Sequence, residues 1–188
     1  MNILALAATT SRQSINARLL SHAADLLAAD ILPGAKISFL DLNDFEMPIY
    51  SVDREAASGI PEAAMRFHAA IGAADALLFA FAEHNGHFTA AYKNLFDWTS
   101  RVEKVGAMSN LYQGKPMVAL GTSPGPGGAQ HVLNFVKTTA PYFAADVRAS
   151  FSLPGFGDNL DVDTGKIRAE SMVEELRIAL ATLGAPSA

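Results

Sequence analysis

Short apolar runs alternate along the chain with longer segments whose apolar residues recur at helical spacing. The runs fall at 2–8, 36–42, 75–81, 116–121 and 146–153. Each has the length of a strand, and the first, third and fourth are nearly continuous in apolar character, as strands buried on both faces should be. Ile15, Leu19, Leu20, Ala23, Leu26 and Leu27 put one stripe on a helix near 14–29. Met172, Leu176, Ala179, Leu180 and Leu183 do the same near 169–183. Gly72 and Gly184 sit where helices should end, and Pro33-Gly34 closes the first one. Five strands alternating with five helices predict an α/β fold, a doubly wound parallel sheet covered on both faces. Right-handed crossovers leave few topologies, and we take the strand order to be 2-1-3-4-5. No repeat, low-complexity tract or long linker interrupts the pattern, so residues 1–188 read as one domain. The longest irregular stretches are 43–60 and 154–168.

Composition removes several function classes. There are no cysteines, which excludes disulfides, thiolate metal sites and cysteine nucleophiles, and fits a reducing cytoplasm. A formal net charge of −5 without any lysine or arginine run argues against nucleic acid as a partner. No stretch reaches the roughly 18 apolar residues of a membrane span. The N-terminus, Met1-Asn2-Ile3-Leu4-Ala5-Leu6, lacks a basic leader and reads as the first strand.

Polar residues collect after three strands. Thr9-Thr10-Ser11-Arg12-Gln13-Ser14-Ile15-Asn16 follows the first, Glu83-His84-Asn85-Gly86-His87 the third, and Gly121-Thr122-Ser123-Pro124-Gly125-Pro126-Gly127-Gly128 the fourth. In the order 2-1-3-4-5 these strands are neighbours, and ligands bind beyond their carboxyl ends at the switch point between strands 1 and 3. The three loops should therefore surround one crevice. The first is dense in hydroxyls and opens a helix, whose unpaired N–H groups and positive dipole end suit a phosphate. Ser11 or Ser14 as a simple N-cap accounts for one such residue, not for the whole run. The loop carries no G-x-G-x-x-G fingerprint, which disfavours a tightly held dinucleotide.

Three lookalikes are set aside. Gly121-Thr122-Ser123-Pro124-Gly125 matches the G-x-S-x-G nucleophile elbow, but Pro124 has no N–H for an oxyanion, and the last histidine, His131, precedes every later carboxylate. Glycines and prolines there let backbone approach a flat ring closely. His84 and His87 beside Glu83 match no standard zinc spacing. Asn159, Asp161, Asp163 and Glu170 approximate a calcium loop, but Thr164 holds the place of its glycine, so a polar turn into the last helix is the better reading. His22 and His68 lie inside helical patterns and need no function.

Glu83-His84-Asn85-Gly86, followed by Lys93-Asn94-Leu95-Phe96-Asp97-Trp98, resembles the signature of the NADPH-dependent FMN reductase family, a flavodoxin-like group that includes quinone, azo-dye and chromate reductases. Ser14-Ile15-Asn16 and Ser123-Pro124-Gly125 with Gly127-Gly128 match its other two motifs, so the resemblance covers roughly 2–153. It implies that Thr9, Ser11, Ser14 and Asn16 hold the FMN phosphate. It implies further that Glu83, His84, Asn85 and Gly86 line the isoalloxazine and ribityl region, with Ser123, Pro124, Gly125 and Gly128 closing the other side. There are departures from the family pattern. Ala8-Thr9 stands where many members have Gly-Ser, Arg12 lies one residue nearer the Ser-x-Asn pair, and His84 replaces a tyrosine.

The activity implied is an NAD(P)H-dependent FMN oxidoreductase, using NADPH or NADH to reduce quinones or similar small acceptors. The flavin carries that chemistry, so no catalytic acid or base need appear. The alternatives are a flavodoxin-type electron carrier and a non-catalytic FMN-binding module. A homodimer or homotetramer is also expected. On a helix near 88–102, Phe88, Ala91, Leu95, Trp98 and Val102 suffice to cover the sheet, while Tyr92, Phe96 and Thr99 widen the apolar face beyond that need. Segments 43–60 or 154–168 could cover the extra width instead. Lys93, Asp97 and Arg101 would form a solvated charge ladder opposite.

Overall fold

The structure, a computed structural model, describes residues 1–186; the last two positions of the domain expected over 1–188 lie outside the described residues. Strand β1 (Asn2–Ala7) leads to helix α1 (Ile15–Leu26), which continues through a π-helical turn, Leu27–Ile31. Strand β2 (Lys36–Leu40) is followed by a short helix α2 (Val52–Ser58) and by α3 (Glu62–Ala73). Strand β3 (Ala76–Ala80) runs into a small hairpin, β4 (Glu83–His84) and β5 (His87–Phe88), and then α4 (Ala90–Thr99). A second hairpin, β6 (Lys104–Val105) and β7 (Met108–Ser109), precedes β8 (Pro116–Thr122) and α5 (Gln130–Thr139). Strand β9 (Asp146–Leu153), the short α6 (Phe156–Asn159) and α7 (Glu170–Ala181) complete the order.

Five strands form one parallel sheet in the order β2-β1-β3-β8-β9, which is 2-1-3-4-5 when only sheet strands are counted. The three central strands are the continuous apolar runs, and period-two alternation divides their side chains between two cores. Leu4, Leu6, Leu77, Phe79, Met117 and Ala119 face α3, α4 and α5, whereas Ile3, Ala5, Leu78, Val118 and Leu120 face α1 and α7. The α1 stripe buries Leu19, Leu20 and Ala23, and the α7 stripe buries Leu176, Ala179 and Leu180.

The broad apolar face of α4 is consumed inside the chain. Tyr92, Leu95, Phe96, Trp98 and Thr99 are all buried. The 43–60 segment, read as irregular, contains a 3₁₀ turn at Leu42–Phe45 and α2, and it lies across this helix. Trp98 Nε1 donates to Pro48 O at 2.7 Å, Asn94 Nδ2 to Met47 O at 3.1 Å, and Tyr50 meets the Trp98 ring edge-on at 5.0 Å. Phe96 packs on Phe143 with centroids 4.5 Å apart. The width of the stripe therefore requires no second chain. The charge ladder is also shorter than its spacing suggests: Lys93 pairs with Asp97 at 2.7 Å, but Arg101 turns to Glu55 at 3.0 Å.

Candidate functional site

Loop 8–14 leaves the carboxyl end of β1, and Ser14 caps α1 by accepting from the amides of Asn16 and Ala17 at 3.1 and 3.2 Å. Thr9 Oγ1 accepts from the Ser11 amide at 3.2 Å. Among the described residues, the backbone N–H groups of Arg12, Gln13, Ser14 and Ile15 meet no protein acceptor. Four successive free amides at the positive end of a helix dipole form an anion nest. Arg12 takes no part in it as the side chain stands. Its guanidinium pairs with Asp41 Oδ2 at 2.9 Å beyond the end of β2. The Asn43 backbone amide and side chain, followed by Arg12, hold the Asp41 carboxyl below its ordinary value.

Side chains tie the three loops together. Thr89 caps α4 by accepting from the Tyr92 amide at 3.2 Å and donates to Ala8 O at 2.9 Å, joining the second loop to the first. The Asn16 carboxamide reaches both backbone groups of Thr122, joining the first loop to the third. Glu83 joins the second to the third. Its Oε2 accepts from the Val132 amide at 3.0 Å, at the start of α5, and its Oε1 lies 3.3 Å from His131 Nδ1. Helix α5 begins at Ala129, in left-handed conformation with no side-chain cap of its own, so Glu83 does that work from another loop.

The three loops enclose a crevice of about 260 Å³ at the carboxyl ends of the strands. Thr9, Ser11, Ser14, Asn16, Glu83, His84, Ser123 and Pro124 line it together, with Gln13, Ile15, Ala82 and Thr122. Asn85 and Gly86 form the turn between β4 and β5, both at positive φ (54° and 79°), beyond this lining. Gly125 also lies outside it, accepting a hydrogen bond from Ser123 Oγ at 3.1 Å. Gly128 faces away, toward β9. It is buried, its carbonyl accepts from Ser152 Oγ at 2.7 Å, and an added Cβ would come within 3.0 Å of Pro154 N. Thr89 has no place in the sequence reading, and His131, Gln13 and Thr122 appear there without a site role. A threonine immediately before a helical run is an N-cap signal that could have found the first, whereas nothing local ties His131 to Glu83.

Two further depressions lie near the crevice. One of about 230 Å³ shares Thr9 and Ser11 and runs to Asp41 and Asn43. Another of about 320 Å³ lies between Thr10, Met47 and Asn94. A larger groove, about 540 Å³, is on the flank of α1 between Arg18 and Lys166. It lies away from the strand ends where this topology collects ligands, and its charges are mixed, so we assign the site to the smaller crevice. Among the described residues Ser123 Oγ has no histidine partner, its hydrogen bond going to Gly125 O. Asp161 accepts from the amides of Asp163 and Thr164 at 3.0 Å each, making the calcium lookalike a polar turn before α7. His87 is half-buried, its ring 4.2 Å from that of Phe135.

Flavin mononucleotide suits this donor set. The crevice lining offers the amides and hydroxyls of the first loop, and its one carboxylate, Glu83, has both oxygens engaged. Residues 1–157 match the NADPH-dependent FMN reductase family. An NAD(P)H-dependent FMN reductase of Pseudomonas aeruginosa is 32% identical over 139 residues, 74% of this chain and 69% of that protein. A probable NADPH:quinone oxidoreductase 2 of Oryza sativa subsp. japonica is 30% identical over 130 residues, 69% of this chain, and the match spans only 60% of the rice protein. Among solved structures, the flavoenzyme NAD(P)H:(acceptor) oxidoreductase FerB of Paracoccus denitrificans shares the fold with a TM-score of 0.71 at 24% identity, covering 97% of this chain and 95% of that one. An FMN-dependent NADH-azoreductase of Bacillus anthracis, solved with FMN, gives 0.70 at 14% identity, over 98% and 100% of the two chains. The strand order, the loops at the strand ends and the match over most of its length agree: this chain belongs to the NADPH-dependent FMN reductase family.

Proposed function

We propose that the protein is an NAD(P)H-dependent FMN oxidoreductase that passes electrons through its flavin to quinones or similar small acceptors. The observation that carries this reading is the anion nest of Arg12–Ile15 opening onto a crevice walled by two further loops. The relatives named as FMN reductase and quinone oxidoreductase support the donor and acceptor classes. Bound FMN supplies hydride acceptance and the release of electrons singly or in pairs. The chain's residues bind and orient. The free amides and the hydroxyls of Thr9, Ser11 and Ser14 receive the phosphate, since a hydroxyl that accepts a capping bond keeps its own hydrogen to donate. Glu83 and His84 flank the ring region on one side, with the Asn85-Gly86 turn beyond them, and Ser123 and Pro124 flank it on the other. Pro124 offers no N–H, so the wall it forms is apolar. His84, exposed at the rim, meets the acceptor.

The test is flavin titration of the cofactor-free protein, followed by steady-state NADPH and NADH oxidation with and without a quinone. FMN should bind far more tightly than riboflavin, which lacks the phosphate, and the quinone should accelerate turnover. Equal affinity for both flavins removes the phosphate nest from the reading. Flavin binding without nicotinamide oxidation identifies an electron carrier or binding module instead. The reading includes a cytoplasmic location and a homodimer or homotetramer. Ile49 and Val52, in the segment that crosses α4, and Val105 and Met108, in the hairpin that follows it, are exposed apolar residues that favour pairing. A monomeric mass by light scattering at micromolar concentration would remove the oligomer.

A further inference from the structure

Strand β8 outlasts its neighbour. On one side it pairs with β9 as far as Thr122 opposite Leu153. On the other, the ladder with β3 ends at Ala80 opposite Leu120, with a last bond from the Phe81 amide to Leu120 O at 2.8 Å. In a parallel ladder the N–H and C=O of alternate residues point to the same neighbour. The backbone groups of Thr122, two residues past Leu120, therefore face the β3 side, where no strand remains because the chain has turned into the β4–β5 hairpin. Both are met by one side chain. The Thr122 amide donates to Asn16 Oδ1 at 3.0 Å, and Asn16 Nδ2 donates to Thr122 O at 3.2 Å.

The carboxamide of Asn16 thus stands in for the missing peptide group of β3, adding one rung to the sheet from the far side of a central strand. Asn16 is 3% exposed and lies in the first turn of α1, where Ser14 satisfies its own amide. Its polar atoms have well-formed partners at the end of β8, and among the described residues no other side chain supplies these bonds. Ser11 and the free amides of Arg12–Ile15 carry no comparable commitment.

We propose that Asn16 is a positioning residue rather than a phosphate ligand. It sets where the Ser123–Gly125 wall stands relative to the anion nest, and through that wall it governs the ring end of the flavin site. The inference rests on the FMN reading for its consequence, though the clamp itself does not. It departs from the resemblance, which assigns Asn16 to the phosphate.

The two roles separate in the ratio of two affinities. Loss of a phosphate contact weakens FMN and spares riboflavin, whereas displacement of the ring wall weakens both alike. In cofactor-free protein, Asn16→Ala should raise the Kd for FMN and for riboflavin by about tenfold each, two buried backbone groups having lost their partners. The ratio of the two should stay within about threefold of the wild-type ratio. Weakening of FMN alone, or unchanged affinity for both, overturns the proposal. Should Asn16→Ala fail to fold, amide hydrogen exchange at Thr122 in the wild type decides between the two roles. That amide should be protected without cofactor and stay protected when FMN or inorganic phosphate is added. Rapid exchange, or exchange that speeds up as either ligand draws the carboxamide away, overturns the clamp. A wild-type protein that binds neither flavin would refute the FMN reading, while Thr122 exchange would still decide for or against the clamp.

Discussion

Glu83 caps a helix that it does not belong to, and its removal should cost measurable stability without flavin present. The bond from the Val132 amide, 3.0 Å to Oε2, is charge-assisted and partly buried. Hydrogen bonds to charged groups contribute about 1.5–3 kcal/mol, and a carboxylate at a helix N-terminus about 0.3–1 kcal/mol, with overlap between the two. The His131 contact adds little, because that imidazole is 78% exposed. For Glu83→Ala we expect a loss of about 2 kcal/mol, within the range for deleting an N-cap. Glu83→Gln keeps a neutral acceptor and should lose about 1 kcal/mol. Urea unfolding of the cofactor-free protein reads both. With m-values of about 1–3 kcal/mol/M, Glu83→Ala should move the midpoint down by roughly 1 M, with m unchanged. Concentrated salt should reduce this difference only partly, since partly buried charges are weakly screened. A midpoint equal to that of the wild type in both variants would mean that water caps α5 equally well, and the tie between the second and third loops would lose its energetic basis.

Thr89→Val preserves shape but removes the α4 cap and the bond to Ala8 O, and should cost about 1–3 kcal/mol in the same assay. His22 is 7% exposed and its Nε2 has no partner. Burial, opposed by Asp25 and aided by Lys166 and Arg177, lowers its folded pKa below 6.5, so the unfolded chain binds more protons. The stability at stake is fully present above 6.5 and is lost as pH falls through the lower folded value, so His22→Leu should flatten the stability curve in that window. An unchanged slope in urea melts between about pH 7.5 and about pH 5 would refute it. Ser123→Ala should change FMN affinity by less than about threefold, about 0.7 kcal/mol. Wild-type protein should form no adduct with a serine-directed phosphonate by mass spectrometry, and an adduct at Ser123 would revive the hydrolase reading.

The sheet was legible because its central strands are apolar on both faces, and few residue patterns other than a covered parallel sheet produce that. The edges were less so: β2 and β9 are partly exposed, and only their place in the alternation marks them. The use of the α4 face was not legible. Periodicity measures how wide an apolar arc is, not what covers it. Here the cover comes from Pro48 and Tyr50, which lie in a segment without strong periodicity and dock through one carbonyl and one ring. The β4–β5 hairpin was readable in principle, since Asn85-Gly86 is the dipeptide that favours two left-handed residues in a tight turn.

The candidate site was legible as a set of loops and not as a set of contacts, and the reason is chemical. Ser, Thr, Asn and Glu near a strand end can bind a ligand or fasten one loop to the next, and sequence alone gives both uses the same letter. The geometry divides them by what their atoms already touch. Ser11 and the amides of Arg12–Ile15 keep donors free, so they are the groups able to gain a partner when an anion arrives. Thr89 and Asn16 commit theirs to Ala8 O and Thr122 O, and the Glu83 carboxylate is already taken by the Val132 amide. Arg12 shows the same division from the other side: its sequence position beside the candidate nest assigns it no role, and the structure pairs its guanidinium with Asp41 2.9 Å away, beyond the end of a different strand. That ion pair is exposed and contributes only about 0–1 kcal/mol, so it would not restrain Arg12 strongly against a doubly charged phosphate nearby. The free amides are fixed by the fold and cannot turn aside, and for that reason the proposed phosphate contact rests on the nest, not on the arginine.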